Sequence, residues 1–457
     1  MALAFKDLQS IEQVRGLIVK AKQAQKIFAN FTQEQIDQVI STMALSAQKE
    51  VEKLAKLASE ETGFGNYSDK VIKNKFASEV VYEHIKDIKT VGILKEDIEK
   101  QVMEVAVPLG VISALIPSTN PTSTVIYKAL IALKAGNAII FSPHPMAAKS
   151  IIEAVSIMKK AAIQAGAPEG IIGCITIPTK EATDELMSHH DVALTLATGG
   201  EAMVRAAYSS GTPAIGVGPG NAPAFIEKSA DIPLAVKRII DSKTFDNGVI
   251  CASEQAVVVE EELKEAIVEE FKKQGAYFLS KEESEKLSHF ILRDNGTMNP
   301  AIVGKSPQVV ANLVGLSIPI RTRVLISEQT TVGKHNPYSR EKLTPILAFY
   351  TEKTLEEALA RCTELLMNEG KGHTFVLHSN NEDIIKRCAL TQPVSRMVVN
   401  SPGALGGIGA STNLIPALTL GCGAIGGGST SDNIGPLHLM NIRAIARGVV
   451  ELEDSKE

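Results

Sequence analysis

VISALIP (111–117), TSTVIYKALIALKAG (122–136) and AIIFSP (138–143) place a short apolar run, a longer apolar segment and a second short run in direct succession. The short runs, closed by Pro or Ser, read as buried strands, and the segment between them has the length of a helix. The alternation continues through AAKSIIEAVSIMKKAAIQAG (147–166), GCITI (173–177), ALTLAT (193–198) and PAIGVG (213–218). Such a pattern predicts a parallel sheet covered on both faces, with ligands at the carboxyl ends of its strands.

Upstream, the chain reads as helices. Ile11, Val14, Ile18 and Ala21 recur at helical spacing, and Thr32-Gln33-Glu34-Gln35 predicts a capping box opening a second helix with Ile36, Val39, Ile40 and Met43 on its apolar face. Downstream of about residue 240 a second α/β set follows. It comprises QAVVVE (255–260), a charged helix near 261–274, ILAFYT (346–351), LEEALARCTELL (355–366), HTFVLH (373–378) and MVVNS (397–401). Glycine-rich turns LGGIGA (405–410) and LGCGAIGGG (420–428) complete it, and no repeat or low-complexity linker interrupts the chain.

With 457 residues, 44% hydrophobic and 22% charged, the chain can build two or three domains of ordinary globular composition. A net charge of −5 without a Lys/Arg cluster gives no footprint for nucleic acid. No apolar run reaches the roughly 20 residues of a membrane span. MALAFKDLQSIEQVRG lacks the order of a signal peptide. The five cysteines are odd in number, scattered and free of CxxC spacing, which argues against a disulfide framework or a zinc site and predicts a cytoplasmic enzyme without a metal.

Candidate chemistry gathers at strand ends. IPSTNP (116–121), FSPHP (141–145) and ATGG (197–200) each close an apolar run with turn or cap residues, and the last could seat a phosphate on backbone N–H groups. Each alone reads as a cap; three in successive crossovers suggest one cleft. GVGPG (216–220) lacks the third glycine of a dinucleotide fingerprint. Cys174, Cys362 and Cys388 read as core fillers, and Cys422, between glycines, as filler or cleft residue. Cys251 in TFDNGVICASEQ (244–255) has Asp246, Asn247, Ser253 and Glu254 around it and precedes a strand. It is either a buried filler or a nucleophile presented at an edge. Taken alone, His373 and Glu341 read as an ordinary histidine and a solvated carboxylate.

Together, FDNGVICASEQ, IPSTNPTST, FSPHP, ATGG, MVRAAYSSGTPAIGVGPGN (203–221), REKLTP (340–345), GKGHT (370–374) and LTLGCGAIGG (418–427) resemble the acylating, coenzyme A-dependent aldehyde dehydrogenases. The likeness covers essentially the whole chain and is closest to the N-terminal half of bifunctional aldehyde–alcohol dehydrogenases. The iron-dependent alcohol dehydrogenase half does not follow before residue 457, so a free-standing aldehyde-oxidising unit is expected.

The resemblance implies an aldehyde dehydrogenase-like α/β fold. Residues 1–238 would form a Rossmann-type nucleotide-binding domain with an oligomerisation hairpin near 88–108, residues 239–428 an inserted catalytic domain, and residues 429–457 an oligomerisation tail. It implies Cys251 as nucleophile, His373 near it and Asn120 as oxyanion donor. Cofactor contacts are implied for Glu341, on the nicotinamide-side ribose, and for Thr198, Gly199 and Gly200 near the pyrophosphate. Pro117, Ser118, Thr119, Ser142, His144, Gly216 and Gly218 complete the implied set. Two departures stand out. Hydrolytic relatives carry Pro-Trp-Asn-Phe-Pro where this chain has Pro117-Ser118-Thr119-Asn120-Pro121, and Lys-Pro-x-Glu where it has Ser142-Pro143-His144-Pro145.

The implied reaction oxidises a short aldehyde, acetaldehyde foremost, with NAD rather than NADP. A Cys251 thioester then passes the acyl group to coenzyme A. Hydrolytic relatives activate water with the glutamate of Glu-Leu-Gly-Gly; Ile215–Gly220 here holds no carboxylate. The alternatives are a propanal-preferring enzyme, a hydrolytic dehydrogenase and a non-enzymatic assembly module. A homodimer or homotetramer in the cytoplasm is expected, with a protein-shelled bacterial microcompartment as the alternative location.

Overall fold

A computed structural model describes residues 5–449. Helices Phe5–Phe28, Gln33–Lys49 and Val51–Thr62 open the chain, and Tyr67–Lys75 continues through a π-turn into Val81–Ile85. The capping box forms: the Gln35 N–H donates to Thr32 Oγ1 at 3.3 Å and the Thr32 N–H to Gln35 Oε1 at 2.8 Å. Val14, Ile18, Ile36, Val39, Ile40 and Met43 are fully buried, as the helical spacing predicts.

A five-stranded parallel sheet follows, in the spatial order Ile172–Cys174, Ala138–Pro143, Val111–Ile116, Val192–Thr198, Ala214–Val217. The first strand in sequence is central, so the chain winds to one side and then crosses to the other. That reversal places a topological switch point between Ile116 and Thr198, where a parallel sheet leaves room for a ligand. Helix Pro121–Lys134 packs under the sheet and is buried along its whole length. Its lysines are not stranded: Lys128 Nζ donates to the carbonyls of Leu115 at 2.9 Å and Leu196 at 2.8 Å, and Lys134 Nζ to that of Lys86 at 2.7 Å.

The second sheet has seven parallel strands in the order Ala276–Phe278, Val324–Glu328, Ile346–Glu352, Glu254–Glu260, Ala222–Ile226, Gly372–His378, Val394–Val399. Three of these escaped the sequence reading. Ala276–Phe278 is too short for a periodic signal, Val324–Glu328 stands apart from its helix neighbours, and Ala222–Ile226 carries Pro223, which reads as a breaker. The register shift between Ala222 and Pro223 explains why a proline is accepted inside this sheet. The chain changes sheets between Val217 and Ala222, ahead of the division expected after residue 238, which falls within helix Ile232–Thr244.

A third, antiparallel sheet joins Gly92–Asp97, Val102–Pro108 and Met440–Ala446. The hairpin expected near 88–108 is thus paired with part of the expected tail; residues 450–457 of that tail, and residues 1–4 of the first domain, lie outside the described residues. The outer strand exposes every residue after Met440. Among the described residues no helix is long and apolar enough to cross a membrane.

Candidate active site

The two large sheets offer opposite ends to one cleft. Pro117, Pro143 and Thr198 stand at or just past the carboxyl ends of the five-stranded sheet, whereas Cys251, Glu341 and Glu369 precede strands of the seven-stranded one.

The loop that carries Cys251 begins with a turn at Phe245–Gly248 in which Asp246 (φ 48°) and Asn247 (φ 52°) are left-handed. Non-glycine residues pay roughly 1–2 kcal/mol each for that conformation, so surrounding contacts must hold it. They do. The Asp246 carboxylate accepts from the Asn66 N–H at 2.7 Å, Lys70 Nζ at 3.1 Å and Lys73 Nζ at 2.5 Å, and the Asp246 N–H donates to Asp69 Oδ2 at 2.6 Å. Asn247 Nδ2 donates to the carbonyls of Gly65 at 3.3 Å and Gly304 at 2.9 Å.

Cys251 itself is seated against the GVGPG segment. A methyl on Gly220 would lie 1.8 Å from the Cys251 carbonyl oxygen, and one on Gly216 2.6 Å from Val204 Cγ1. These glycines serve close packing: Gly216 between strand and helix, Gly220 under the cysteine backbone. Cys251 remains partly exposed, whereas Cys362, Cys388 and Cys422 are buried. Cys422 therefore lies inside the wall rather than on the cleft surface, where the Gly218 N–H bonds its sulfur.

Burial pushes the Cys251 thiol up to about 12, with Glu341 and Cys422 adding to the rise and Arg396 opposing it. Glu341 is raised to about 8 by burial and by Glu369, against the Gly220 N–H, which reaches its Oε1 at 2.9 Å, and against Lys243 and Lys342. Burial and Arg396 lower His373 to about 3. Its Nδ1 lies 2.8 Å from Thr374 Oγ1, while Nε2 is buried without a partner. At neutral pH the resting site thus holds a neutral thiol, a neutral imidazole and a largely protonated Glu341. Arg396 ties the histidine to the cysteine wall by donating to the His373 carbonyl at 2.9 Å and to that of Gly421.

Asn120 precedes helix Pro121–Lys134. Its Nδ2 lies 3.3 Å from the Val249 carbonyl, two residues before Cys251, and its Oδ1 accepts from Lys73 Nζ at 2.5 Å.

A cavity of about 1170 Å³ adjoins these groups. Of the expected cofactor contacts, Pro117, Ser142, His144, Thr198, Gly199, Gly200 and Glu341 line it. Ser118, Thr119, Gly216 and Gly218 do not, nor do Cys251, Asn120 and His373. Thr198 Oγ1 is buried without a partner in the cavity wall, and a methyl on Gly200 would meet nothing, so the turn is open to a large polar ligand. Sequence reading missed Lys180, Thr183, Arg205, Arg340 and Glu369 on the same wall. Lys180 and Thr183 sit on helix Lys180–Ser188, whose facing side no strand-end motif reveals; Arg205 and Arg340 lie inside the quoted MVRAAYSSGTPAIGVGPGN and REKLTP motifs, and Glu369 directly precedes GKGHT.

The sequence pattern described as "Aldehyde dehydrogenase family" matches residues 6–285. The chain is 46% identical over 443 residues to the bifunctional aldehyde-alcohol dehydrogenase AdhE of Escherichia coli (strain K12), a match over 96% of this chain and 50% of AdhE. It therefore spans about half the length of that curated relative. A solved structure from Listeria monocytogenes EGD-e, described as a probable aldehyde dehydrogenase, superposes with a TM-score of 0.98 at 64% identity, covering 99% of this chain and 100% of that one. An acetylating aldehyde dehydrogenase from Geobacillus thermoglucosidasius superposes at 0.97 with 53% identity and the same coverage, 99% and 100%.

The Gly220 contact has a direct consequence. Gly220→Ala must push the Cys251 backbone out of its seat and its thiol toward water. Alkylation of Cys251 by iodoacetamide, followed by peptide mass spectrometry, should then accelerate by about tenfold as the thiol pKa falls, with Cys362 and Cys388 staying unreactive as internal controls. An unchanged Cys251 rate would mean that the seat does not govern the thiol.

Proposed function

The chain belongs to the aldehyde dehydrogenase family, and from that premise we propose that it is a coenzyme A-acylating aldehyde dehydrogenase. It converts a short aldehyde, acetaldehyde by preference, with NAD and coenzyme A into the acyl-CoA, NADH and a proton, reversibly. The observation that carries this reading is the wall facing Cys251: Gly220 fills the place beside the nucleophile's carbonyl, and Ile215–Gly220 contains no carboxylate to activate water. The neighbouring carboxyl, Glu341, is a largely protonated acid at neutral pH with one oxygen held by Gly220.

The residues divide the work as follows. Cys251 loses its proton and its sulfur adds to the aldehyde carbon, forming a thiohemiacetal oxyanion. Arg396 and the Cys251 N–H are the groups that favour the thiolate. Asn120 Nδ2, held by weak acceptors at 3.2 and 3.3 Å, turns a hydrogen to the oxyanion, a stronger charge-assisted acceptor. A bound nicotinamide would supply the hydride acceptor, and loss of hydride from the thiohemiacetal carbon would leave the Cys251 thioester. Thr198, Gly199 and Gly200 would hold the pyrophosphate and Glu341 the nearer ribose. Coenzyme A then attacks the thioester through its sulfur, and the tetrahedral adduct collapses with release of the Cys251 thiolate. His373, uncharged and with Nε2 free, takes the proton of the incoming thiol in the tautomer that donates Nδ1–H to Thr374.

NAD is the proposed dinucleotide because each of the three cations lining the cavity carries a carboxylate beside it, so a 2′-phosphate would meet negative as well as positive charge. The pairs are Lys180 with Asp184, Arg205 with Glu201 at 3.2 Å and the more buried Arg340 with Glu369 at 2.9 Å. We assign the five-stranded unit to the nucleotide and the seven-stranded unit to the nucleophile. The exposed edge Met440–Ala446, with Ile442 and Ile445 in solvent, is proposed as the seam of a homodimer or homotetramer. Five free thiols support a reducing cytoplasm, which subcellular fractionation checks.

Four outcomes are expected. Purified protein with acetaldehyde and NAD should form about one NADH per site without coenzyme A and turn over only with it, and Cys251→Ser should abolish both phases; steady release of free acetate at pH 7 without coenzyme A defeats the acylating reading. As pH rises through about 8, Glu341 loses its proton, so slow hydrolysis should increase and Glu341→Gln should remove that increase. NAD should bind at least about tenfold more tightly than NADP by calorimetry, a difference of 1.4 kcal/mol. The double change Ile442→Asp with Ile445→Asp should shift the particle toward monomer in light scattering, and an unchanged mass places the seam elsewhere.

A further inference from the structure

Asn120 occupies the N-cap of helix Pro121–Lys134 yet makes no side-chain capping bond. Asparagine is favoured at that position because its side chain bonds the helix's free N–H groups. Here the amide is diverted. Its Oδ1 accepts from Lys73 Nζ at 2.5 Å, and its Nδ2 faces the Val249 carbonyl at 3.3 Å. An ammonium only donates and a carbonyl only accepts, so the two contacts leave one orientation of the amide.

We propose that Lys73 is a positioning residue of the reaction: by donating to Asn120 Oδ1 it turns Nδ2 toward the Cys251 loop and readies it as the oxyanion donor. This rests on the function proposed above. Lys73 comes from helix Tyr67–Lys75, outside both large sheets, and is buried, with only 3% of its side chain exposed. The same Nζ reaches Asp246 Oδ2 at 2.5 Å and lies over the Phe245 ring, so one ammonium ties the donor to the turn that launches the nucleophile. Lys70 cannot replace it: its Nζ goes to Asp246 and to the Thr119 carbonyl, one residue short of the amide. Burial lowers Lys73 to about 8, with Asp246 holding it up and Lys70 adding to the fall, so the donor is an ammonium at neutral pH. Removing Lys73 leaves Asp246 paired with Lys70, which makes the substitution tolerable to the fold.

The test uses single-turnover NADH formation from acetaldehyde in the full chain. Lys73→Met should slow acylation by about 100-fold, the scale of losing one oxyanion donor, while half-saturation by aldehyde and by NAD stays within about twofold. Lys73→Arg, which keeps the charged donor, should recover at least about tenfold of that loss. In an Asn120→Ala background Lys73→Met should change the rate by less than about threefold, because the group it positions is gone. Multiplicative losses in the double variant, or a loss confined to half-saturation, overturn the proposal. Should the wild type fail to make NADH from any short aldehyde, the functional reading fails first. A crystal structure of Lys73→Met then decides the positioning separately: an Asn120 amide unmoved against Val249 overturns it, and a turned or displaced one supports it.

Discussion

The site depends on one buried carboxylate. Asp246, fully buried between Lys70 and Lys73, holds a left-handed turn that no glycine at positions 246 or 247 would otherwise make easy. Without its bonds to Asn66 and the two lysines, Asp246 and Asn247 would relax to ordinary backbone angles and the entry to Cys251 would change course. Such a group is held by mutual need. A buried charge stripped of its partner costs about 3–5 kcal/mol, so the helix Tyr67–Lys75 and the cysteine turn stabilise each other's placement.

The same economy of buried charge extends through the wall around Cys251. Lys243 is fully buried and donates to Gln255 Oε1 at 2.9 Å and to the Lys342 carbonyl at 2.8 Å. Lys342 Nζ in turn donates to the carbonyls of Tyr338 and Arg340, each at 2.6 Å. Burial lowers both lysines and raises Glu341 and Glu254, so the groups around Cys251 sit near neutrality rather than as fixed charges. A thiol raised to about 12 in such a setting is inert at rest. Beside a cleft large enough for bulky reagents, a standing thiolate at Cys251 would be open to oxidation and alkylation.

Using the carboxyl ends of one parallel sheet and the amino ends of another also explains the glycine pattern. Where the chain passes between sheets, at 216–221, three backbones converge: the helix Glu201–Tyr208, the cysteine loop and the segment before Gly372. Gly216 and Gly220 have no room for a methyl, and neither does Gly372, whose Cβ would lie 1.9 Å from the Cys422 carbonyl. Gly220 and Gly372 mark contacts between elements far apart in sequence, and Gly216 the packing of its strand on the preceding helix.

Local sequence determined the five strands of the first sheet and their helices, the Thr32 capping box and two helices of the second unit, near 261–274 and 355–366, because apolar period and end signals are properties of adjacent residues. Motif resemblance singled out Cys251, Glu341 and His373. What only the tertiary structure decided is the surroundings of these groups. Pro223 lies inside a seven-stranded sheet because a register shift excuses it, and Cys422 is a wall residue because Gly218 and Gly372 close over it. Lys73 meets Asn120 across 47 positions and Asp246 across 173. No periodicity encodes such a meeting: a lysine on an amphipathic helix reads as solvated until packing removes the water from around it, and burial is a property of the whole fold.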